Sequence, residues 1–350
     1  MKKIAIVTVY GEQNYGNKFQ NYALIKIYTE LGFEVNTMQV FQSALIHSLK
    51  FKIKYGIKES ISIIPIPNEY RFIVLRKNNF IRFSKNYLSL SERYNTHNFD
   101  YNVLNIYDYI SVGSDQVWND INFDQKDVEY YSMLNTQNSN VFSFAASLGK
   151  NTFQDKYKNL FIKALNKYKF ISCREGSGAD YLDKLLNKKC YTFLDPTLFL
   201  EKKDWDYICR RPKWLKNKRY NLLYFLGGVP DNLEVNNNLL NIDVLNPKSI
   251  AYTASPSEFI YILKNAEMVY TDSYHACVFS LIYKKSFYVF DRKNQTADMS
   301  SRIKTLFATF KIGRGYGQKI TPSDYKNFDD IRAELTNKEL NLLKKVICTD

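Results

Sequence analysis

Short β-rich runs alternate with longer amphipathic stretches along the first half of the chain. The short runs predict strands at 4–9, 34–40, 107–112, 141–146, 170–173 and 190–194. The amphipathic stretches space their apolar residues at helical intervals and predict helices at 19–31, 157–168 and 179–186. Strands that alternate with helices are typical of parallel α/β units. The first half therefore predicts a Rossmann-like α/β domain.

The same alternation continues in the second half, after a polar stretch at 201–219 that is predicted to connect two domains. Strands are predicted at 220–226, 243–245, 268–271 and 287–290, and a last helix at 329–346. A chain of 350 residues exceeds one ordinary core. We therefore predict two Rossmann-like domains, 1–205 and 206–350, in a GT-B-like architecture with an interdomain cleft.

The segment 255–275 carries the strongest local signals. Ser255 and Glu258 have capping-box spacing, and Pro256 occupies the first helical position, where its missing N–H is not needed. A strand at 268–271 and a helix at 276–283 follow. His275 thus lies near the carboxyl end of a parallel strand and beside helix N–H groups, where open α/β sheets bind anionic ligands. A histidine that only caps a helix fits the pattern equally well.

Polar side chains also follow the first predicted strand, where Asn14, Gly16, Asn17 and Gln20 precede or open a helix. Gly16 permits close backbone approach, and the amides offer hydrogen bonds. The pattern is not the G-x-G-x-x-G fingerprint, so a dinucleotide cofactor is not expected.

A second polar group follows the strand at 107–112 and contains Asp115, Gln116, Trp118 and Asn119. A carboxylate, two amides and an indole are suited to holding a sugar by its hydroxyls and its apolar face. The alternative is a helix cap at Ser114 or Asp115 with a packed tryptophan. We favour a sugar pocket, because a cap alone does not need the other polar groups.

Basic side chains follow two further strands. Arg174 comes after 170–173, Arg292 and Lys293 come after 287–290, and Arg302 lies a little further along. With His275, these groups are predicted to converge on one cleft and bind a ligand with two anionic groups. Arg174 can instead be explained as a partner of Glu175 alone.

The formal net charge of +14 indicates a negatively charged partner. Between Lys50 and Lys85, nine basic residues stand against two acidic ones, an excess of seven positive charges in a segment rich in Ile, Phe and Tyr. This basic helical excursion, 41–86, fits either an anionic membrane surface or an ordinary solvated face. No zinc-finger, helix-turn-helix or RNA-binding signature accompanies the charge, so no nucleic-acid partner is predicted.

The five cysteines are scattered and the three histidines lie far apart, so neither a disulfide framework nor a metal site is predicted. No apolar segment approaches the ~20 residues that span a bilayer. The expected location is the cytoplasm, with peripheral contact at the inner face of the cytoplasmic membrane if the basic excursion binds lipid.

Five motifs, taken together, resemble the polysaccharide pyruvyl transferase family. They are Asn14-Tyr-Gly with Gln20-Asn-Tyr-Ala23, Gly113-Ser-Asp-Gln-Val-Trp118, Ser172-Cys-Arg-Glu175, Asp195-Pro-Thr-Leu198 and Thr271-Asp-Ser-Tyr-His275. Each is weakly specific alone, but they occur in the family's order over about residues 4–310. The resemblance implies a GT-B-like enzyme that transfers pyruvate from phosphoenolpyruvate, without a cofactor, to sugar hydroxyls of a bacterial capsule or exopolysaccharide precursor, forming a ketal.

The resemblance also assigns residues. Arg174, His275 and Lys293 match positions that bind phosphoenolpyruvate in the family. Many members carry an arginine and an aliphatic residue just before the histidine, where this chain has Ser273 and Tyr274. The loss of that arginine leads us to expect a replacement, either Arg292 or Arg302. The C-terminal domain is then the donor side.

In the expected reaction, His275 donates a proton to the departing phosphate and Asp115 takes one from the acceptor hydroxyl. The acceptor, a sugar or a lipid-linked oligosaccharide, is expected to bind the N-terminal domain through Asn14, Gln20, Gln116, Trp118 and Asn119. Two alternatives remain open: a GT-B glycosyltransferase that uses a nucleotide sugar, and a non-catalytic glycan-binding homologue. The acceptor sugar, its ring positions, the ketal stereochemistry and the oligomeric state cannot be predicted from these patterns.

Overall fold

The computed structural model describes residues 1–11, 13–41, 68–235, 238–293 and 301–347. Within them, the N-terminal half forms a seven-stranded sheet of order β3-β2-β1-β4-β5-β6-β7, in which every pairing is parallel. Its strands are β1 (Lys3–Val7), β2 (Glu34–Phe41), β3 (Leu90–Asn95), β4 (Tyr109–Asp115), β5 (Val141–Ala146), β6 (Ser172–Cys173) and β7 (Tyr191–Thr192). The strand order reverses between β1 and β4, so their carboxyl ends flank a crevice where such sheets bind ligands.

The helices of this half are α1 (Tyr15–Glu30), α2 (Asn68–Tyr87), α3 (Gln125–Tyr131), α4 (Asp155–Leu165), α5 (Gly176–Leu186) and α6 (Lys202–Ile208). The first helix begins four residues earlier than its apolar pattern predicts, because the side chain of Asn14 caps it by accepting the Asn17 N–H at 3.2 Å. Of the basic excursion, α2 is described, while 42–67 lie outside the described residues.

The C-terminal half forms a second sheet of order β12-β11-β10-β8-β9, parallel except for the edge strand β12. Its strands are β8 (Tyr220–Tyr224), β9 (Leu240–Asp243), β10 (Met268–Thr271), β11 (Phe287–Val289) and β12 (Lys319–Ile320). Its helices are α7 (Pro256–Asn265), α8 (Tyr274–Ile282), α9 (Ser301–Thr309) and α10 (Phe328–Ile347). Two Rossmann-like α/β domains in succession, the predicted GT-B-like fold class, are therefore confirmed.

The predicted cap of α7 is present. Ser255 accepts the Glu258 N–H at 3.2 Å, and the Glu258 carboxylate accepts the Ser255 N–H at 2.8 Å. The helix predicted to follow His275 instead begins at Tyr274, with Ser273 as its N-cap. His275 therefore lies within the first turn of α8, and its side chain is fixed by the helix.

Aromatic side chains join the two domains. Tyr15 stacks on Phe259, with ring centroids 4.2 Å apart, and Phe19 packs against Phe279 at 4.8 Å. Trp205 contacts Phe279 at 4.7 Å and Phe19 at 5.8 Å. We call these five residues the aromatic seam. The seam fills part of the junction, so the predicted interdomain cleft is restricted to the polar region beside it.

The C-terminal helix α10 also spans the junction. Glu339 accepts the Leu194 N–H at 2.9 Å, and Arg332 donates to the Leu200 carbonyl at 2.8 Å. The predicted domain boundary after residue 205 falls inside α6, and it stays a prediction. Across the described residues, no helix is long and apolar enough to cross a bilayer.

Candidate active site at the domain junction

A buried carboxylate, Asp195, lies at the centre of the polar part of the junction. One of its oxygens accepts the Thr197 N–H at 2.9 Å and the Thr197 hydroxyl at 2.6 Å. The other lies 3.2 Å from Nε of Arg174 and 3.5 Å from Nε2 of His275. Arg174 follows β6 of the first sheet and His275 follows β10 of the second, so nitrogen groups from both domains meet at one oxygen. We call Arg174, Asp195 and His275 the ion cluster.

In this buried cluster, the effect of opposite charges on the pKa values outweighs the effect of burial. Burial disfavours ionisation of Asp195, but Arg174 and His275 hold the pKa of its carboxyl well below the usual range. Burial also opposes the charge on Arg174, yet Asp195 and Asp115 together raise its pKa above the usual value. The guanidinium and the carboxylate therefore stay charged across the physiological range.

The start of α1 fits closely against His275. A Cβ atom at Gly16 would lie 2.7 Å from Cε1 and 2.9 Å from Cγ of the imidazole, so a larger residue would displace the ring. The preceding residue, Tyr15, is part of the aromatic seam. The Asn14-Tyr-Gly motif thus caps a helix, anchors the domains and makes room for the histidine.

Asp115, predicted as a base, lies next to the ion cluster. Its Oδ1 is 3.7 Å from Nη2 of Arg174, which donates to the Ser114 hydroxyl at 2.8 Å. The Asn17 side-chain amide donates to its other oxygen, Oδ2. Asp115 also has φ of +68°, in the left-handed region that side chains other than glycine seldom adopt. Held backbone strain of this kind is concentrated at functional sites.

Tyr274 packs against two members of the ion cluster. The guanidinium of Arg174 lies 5.2 Å from the centroid of its ring, and the His275 ring meets it edge-on at 5.3 Å. Burial raises the pKa of its phenol well above the usual value, so the ring stays neutral. Ser273 is buried, and its N–H donates to the Thr271 hydroxyl at 3.0 Å.

A cavity of about 330 Å³ opens beside Arg174 and Tyr274 and is also lined by Arg302. In the amide orientation that satisfies both groups, the Gln116 oxygen accepts from Nη1 and Nη2 of Arg302 at 2.9 and 2.7 Å. Burial and the neighbouring Arg174 lower the pKa of Arg302. Nη1 of Arg174 has no hydrogen-bond partner among the described residues. Two buried guanidiniums therefore line one small cavity.

The family model for polysaccharide pyruvyl transferases matches residues 14–294, most of the chain and all of the elements that carry the ion cluster. The protein belongs to the polysaccharide pyruvyl transferase family. No curated protein sequence matches the chain.

Several solved structures resemble the chain over its whole length. UDP-GlcNAc 2-epimerase from Neisseria meningitidis is 10% identical with a TM-score of 0.42, and each chain is covered completely. MurG from Acinetobacter baumannii is 9% identical with a TM-score of 0.43, covering 98% of this chain and 99% of its own. Arabidopsis thaliana UGT89C1 is 11% identical with a TM-score of 0.44, again with complete coverage. Similarity at this level says nothing about the activity of this family member.

Two predicted donor residues have other partners. Arg292 lies 3.4 Å from the Asp272 carboxylate, which also accepts the N–H groups of Leu226 and Gly227 at 2.7 and 2.8 Å. Lys293 forms an ion pair at 2.7 Å with Asp231, whose side chain is exposed. The structure therefore brings Arg174, His275 and Arg302 together, but pairs Arg292 and Lys293 with carboxylates of the second domain.

Two predicted acceptor residues are wrong as direct sugar contacts. Trp118 is completely buried and its indole donates to the Tyr131 carbonyl at 3.3 Å, so it packs in the first domain's core. Gln20 is also completely buried, and its amide donates to the Thr8 hydroxyl at 2.9 Å. Asn14 is exposed as a helix cap, and Asn119 is half-buried with its side-chain nitrogen 2.9 Å from the side-chain amide of Gln116.

Sequence reasoning gave no role to Asp195 or Glu339. Asp195 directly follows the predicted strand 190–194, where a carboxylate has the same strand-end position as the other candidates, so this signal was present. Glu339 lies within a regular helical pattern, and nothing in that pattern shows that it faces the cavity with Arg174 and Arg302. Among the described residues, no group of three or more His, Cys, Asp or Glu side chains is placed to hold a metal ion.

Proposed function

We propose that the protein transfers a pyruvyl group from phosphoenolpyruvate to two hydroxyls of a sugar in a bacterial surface polysaccharide precursor, forming a ketal. The observation that carries the proposal is the meeting of Arg174 and His275 at one oxygen of Asp195. Family membership supplies the reaction class. Phosphate and carboxylate together give the donor about two to three negative charges, which fixed cations can bind without reorganising.

In this proposal the donor binds in the cavity that Arg174 and Arg302 line. Arg174 binds a donor anion through Nη1, which lacks a partner among the described residues, and Arg302 supplies a second guanidinium. Arg302 thus replaces the arginine that many family members carry just before the histidine. Ser273 occupies that position here, and the ring of Tyr274, the next residue, stacks against Arg174 and holds it in place.

Lys293 remains a proposed phosphate ligand. Its ammonium is partly exposed and its partner Asp231 is almost fully exposed. Surface pairs of this kind contribute about 0–1 kcal/mol, so the lysine can exchange Asp231 for the donor phosphate at little cost. Arg292 supports the same loop by holding Asp272.

His275 and Asp115 divide the proton transfers around the donor and the acceptor. Asp195 orients the imidazole of His275, which gives a proton to the departing phosphate. Asp115, held by the Asn17 amide, accepts the proton of the attacking sugar hydroxyl. Gln116, Asn119 and Asn14 are the polar groups available to position the sugar. No cofactor takes part in this scheme.

Phosphate release from phosphoenolpyruvate in the presence of glycan acceptors tests the proposal. Arg174→Ala and His275→Ala should lower the rate by at least ~10³-fold, since each removes a group that acts on the donor. The matched controls are Arg219→Ala and His97→Ala, which change exposed residues in surface ion pairs and should retain activity. Circular dichroism checks that all four variants fold.

A second measurement separates this proposal from nucleotide-sugar transfer. Phosphoenolpyruvate should raise the melting temperature of the protein, and UDP or GDP should not. Stabilisation by a nucleoside diphosphate alone would favour a glycosyltransferase. Stabilisation by none of these ligands, with no phosphate release, would favour a non-catalytic glycan-binding protein.

We also propose that α2 contacts an anionic membrane surface and brings the enzyme to a lipid-linked acceptor. Arg71, Leu75, Arg82 and Lys85 recur at helical spacing and are exposed on this helix. Each basic residue near an anionic bilayer contributes about 1 kcal/mol. Flotation with phosphatidylserine vesicles should recover the protein at low salt but not at high salt. An Arg71→Gln, Arg82→Gln, Lys85→Gln triple variant should not float.

A further inference from the structure

The cavity beside the ion cluster contains an acidic group that the proposed reaction has not used. Glu339 of α10 lines the same cavity of about 330 Å³ as Arg174 and Arg302. At about 30 Å³ per water molecule in the liquid, this volume accommodates a ligand of roughly ten non-hydrogen atoms. A small phosphorylated acid bound to the arginines would therefore share this cavity with Glu339.

The surroundings of Glu339 keep its carboxyl neutral. The residue is 8% exposed, and one oxygen accepts the Leu194 N–H at 2.9 Å. Burial raises the pKa of the carboxyl to about 8, although the hydrogen bond from the Leu194 N–H and the charge of Lys338 both act to lower it. The other charged groups of the cavity are Arg174 and Arg302, and Tyr274 is neutral. At neutral pH the carboxyl thus carries a proton in a cavity otherwise lined by cations.

The proposed reaction requires such an acid. Ketal formation from an enol begins with a proton at the methylene carbon C3, which makes C2 electrophilic. His275 is assigned to the phosphate and Asp115 to the acceptor hydroxyl, so neither is free for C3. Arginines are poor acids because they keep their protons at all physiological pH values. Of the groups that line the cavity, Glu339 alone is a neutral carboxylic acid.

We infer that Glu339 is a further catalytic residue, the acid that transfers a proton to C3 of the enolpyruvyl donor; this inference rests on the proposed function. The C2=C3 electron pair forms the new C3–H bond, and the first acceptor oxygen bonds to C2 while its proton passes to Asp115. The C2–O bond to phosphate then breaks, the second acceptor oxygen bonds to C2, and its proton goes to phosphate through His275. The proton held by Asp115 returns through solvent to Glu339. The two hydroxyl protons therefore end on the methyl group and on phosphate.

Glu339 is separate from the residues that the family resemblance assigns. It lies on α10, beyond the matched range 14–294, and reaches the site only because that helix crosses back to the first domain. The Leu194 N–H that it accepts belongs to the residue just before Asp195. The backbone that positions the ion cluster therefore also positions the acid.

The test follows deuterium entering C3 of phosphoenolpyruvate when the full-length protein is incubated with this donor in D₂O. Reversible transfer from Glu339 labels the methylene carbon without any sugar acceptor. Glu339→Gln keeps the size of the side chain and an oxygen for the Leu194 N–H but removes the acidic proton. It should slow labelling by about 100-fold or more while leaving the donor Kd, measured by calorimetry, within about threefold. Glu334→Gln, an exposed position on the same helix, is the matched control and should label normally.

The pH profile gives a readout that a structural role would not change. Wild-type labelling should fall about tenfold per pH unit above pH 8, because the acid is then deprotonated, and the residual rate of Glu339→Gln should lack this limb. Normal labelling by Glu339→Gln, or no labelling by a wild-type protein that binds the donor, overturns the inference and leaves the proposed function standing. A wild-type protein that does not bind phosphoenolpyruvate overturns both.

Discussion

The aromatic seam and the ion cluster lie side by side at the same domain junction and are buried to a similar degree. In the seam, Tyr15 both stacks on Phe259 and donates its hydroxyl to the Ala254 carbonyl at 2.8 Å. In the ion cluster, Nη1 of Arg174 has no hydrogen-bond partner among the described residues. Each such buried group costs about 1–3 kcal/mol. The seam therefore stabilises the junction, and the cluster leaves a polar group there that is available to bind a ligand.

The same helices serve both regions. On α1, Tyr15 joins the seam and Gly16 abuts His275; on α8, Phe279 joins the seam one helical turn after His275. A group that must hold a ligand is most effective when its neighbours are already fixed by packing. The seam therefore supplies the rigidity that the cluster needs, and variants should separate the two contributions.

The largest loss of stability is expected from Trp205→Ala. The indole is completely buried between α1 and α8, so its removal leaves a cavity in the seam and should cost about 3–5 kcal/mol. Urea denaturation measures the change. Tyr207→Ala, a 70% exposed aromatic on the same helix, is the control and should stay within about 0.5 kcal/mol of wild type. Equal losses in the two variants would mean that the seam does not hold the domains together.

Asp195→Asn should come next, at about 3 kcal/mol, because it leaves the guanidinium of Arg174 buried without its carboxylate and removes the partner of the His275 imidazole. The folded-state pKa of Asp195 is depressed, so its contribution is present above the unfolded pKa of about 3.9 and is lost as pH falls through the lower folded value. The stability difference between wild type and variant should thus shrink as the pH falls below about 4. A difference that grows towards acid pH would contradict the ion pairing.

Sequence patterns alone were enough to locate the elements whose apolar periodicity is complete. The strands predicted at 141–146 and 268–271 have the bounds observed for β5 and β10, and the Ser255 cap is where it was predicted. The predictions failed where packing between residues distant in sequence determines whether a side chain is exposed. Trp118 looks like a sugar platform in its local context, but the helix α3 and its neighbours enclose it, and Tyr131 accepts its N–H.

The same dependence on long-range packing limited what could be predicted about the candidate active site. Arg174, Asp115 and His275 follow strands, and the carboxyl ends of parallel strands meet at one edge, so their proximity was predictable. The cavity was not, because it depends on α10 returning from the second domain to Leu194. The partner of Lys293 was likewise not predictable from the sequence, since Asp231 is distant in sequence and lies in a loop with two glycines after β8. The basic excursion stays a prediction over 42–67.

A smaller loss, about 1–3 kcal/mol, is expected from Tyr15→Phe. The variant keeps the stacked ring but removes the hydroxyl that donates to the Ala254 carbonyl of the second domain and accepts from Arg76 at 2.9 Å, so that carbonyl loses its donor. Tyr28→Phe is the comparison, because its buried hydroxyl forms a hydrogen bond of 2.6 Å with Ser111 within the first domain. Tyr15→Phe should lose more stability than Tyr28→Phe while the donor Kd stays unchanged. A weakened donor affinity would instead place Tyr15 functionally in the ion cluster.

The smallest change in stability is expected from Lys293→Gln. This variant separates an effect on donor binding from an effect on stability most clearly. The pair with Asp231 is at the surface, so its loss should alter the free energy of unfolding by about 0–1 kcal/mol. If the lysine exchanges this partner for the donor phosphate, Lys293→Gln should still weaken donor binding about tenfold. Asp231→Asn, the matched control, should bind the donor as tightly as wild type or more tightly, because the competing carboxylate is gone. Donor binding unaffected by Lys293→Gln would confine the anion site to Arg174 and Arg302, since a cation that binds phosphate cannot be removed without loss of affinity.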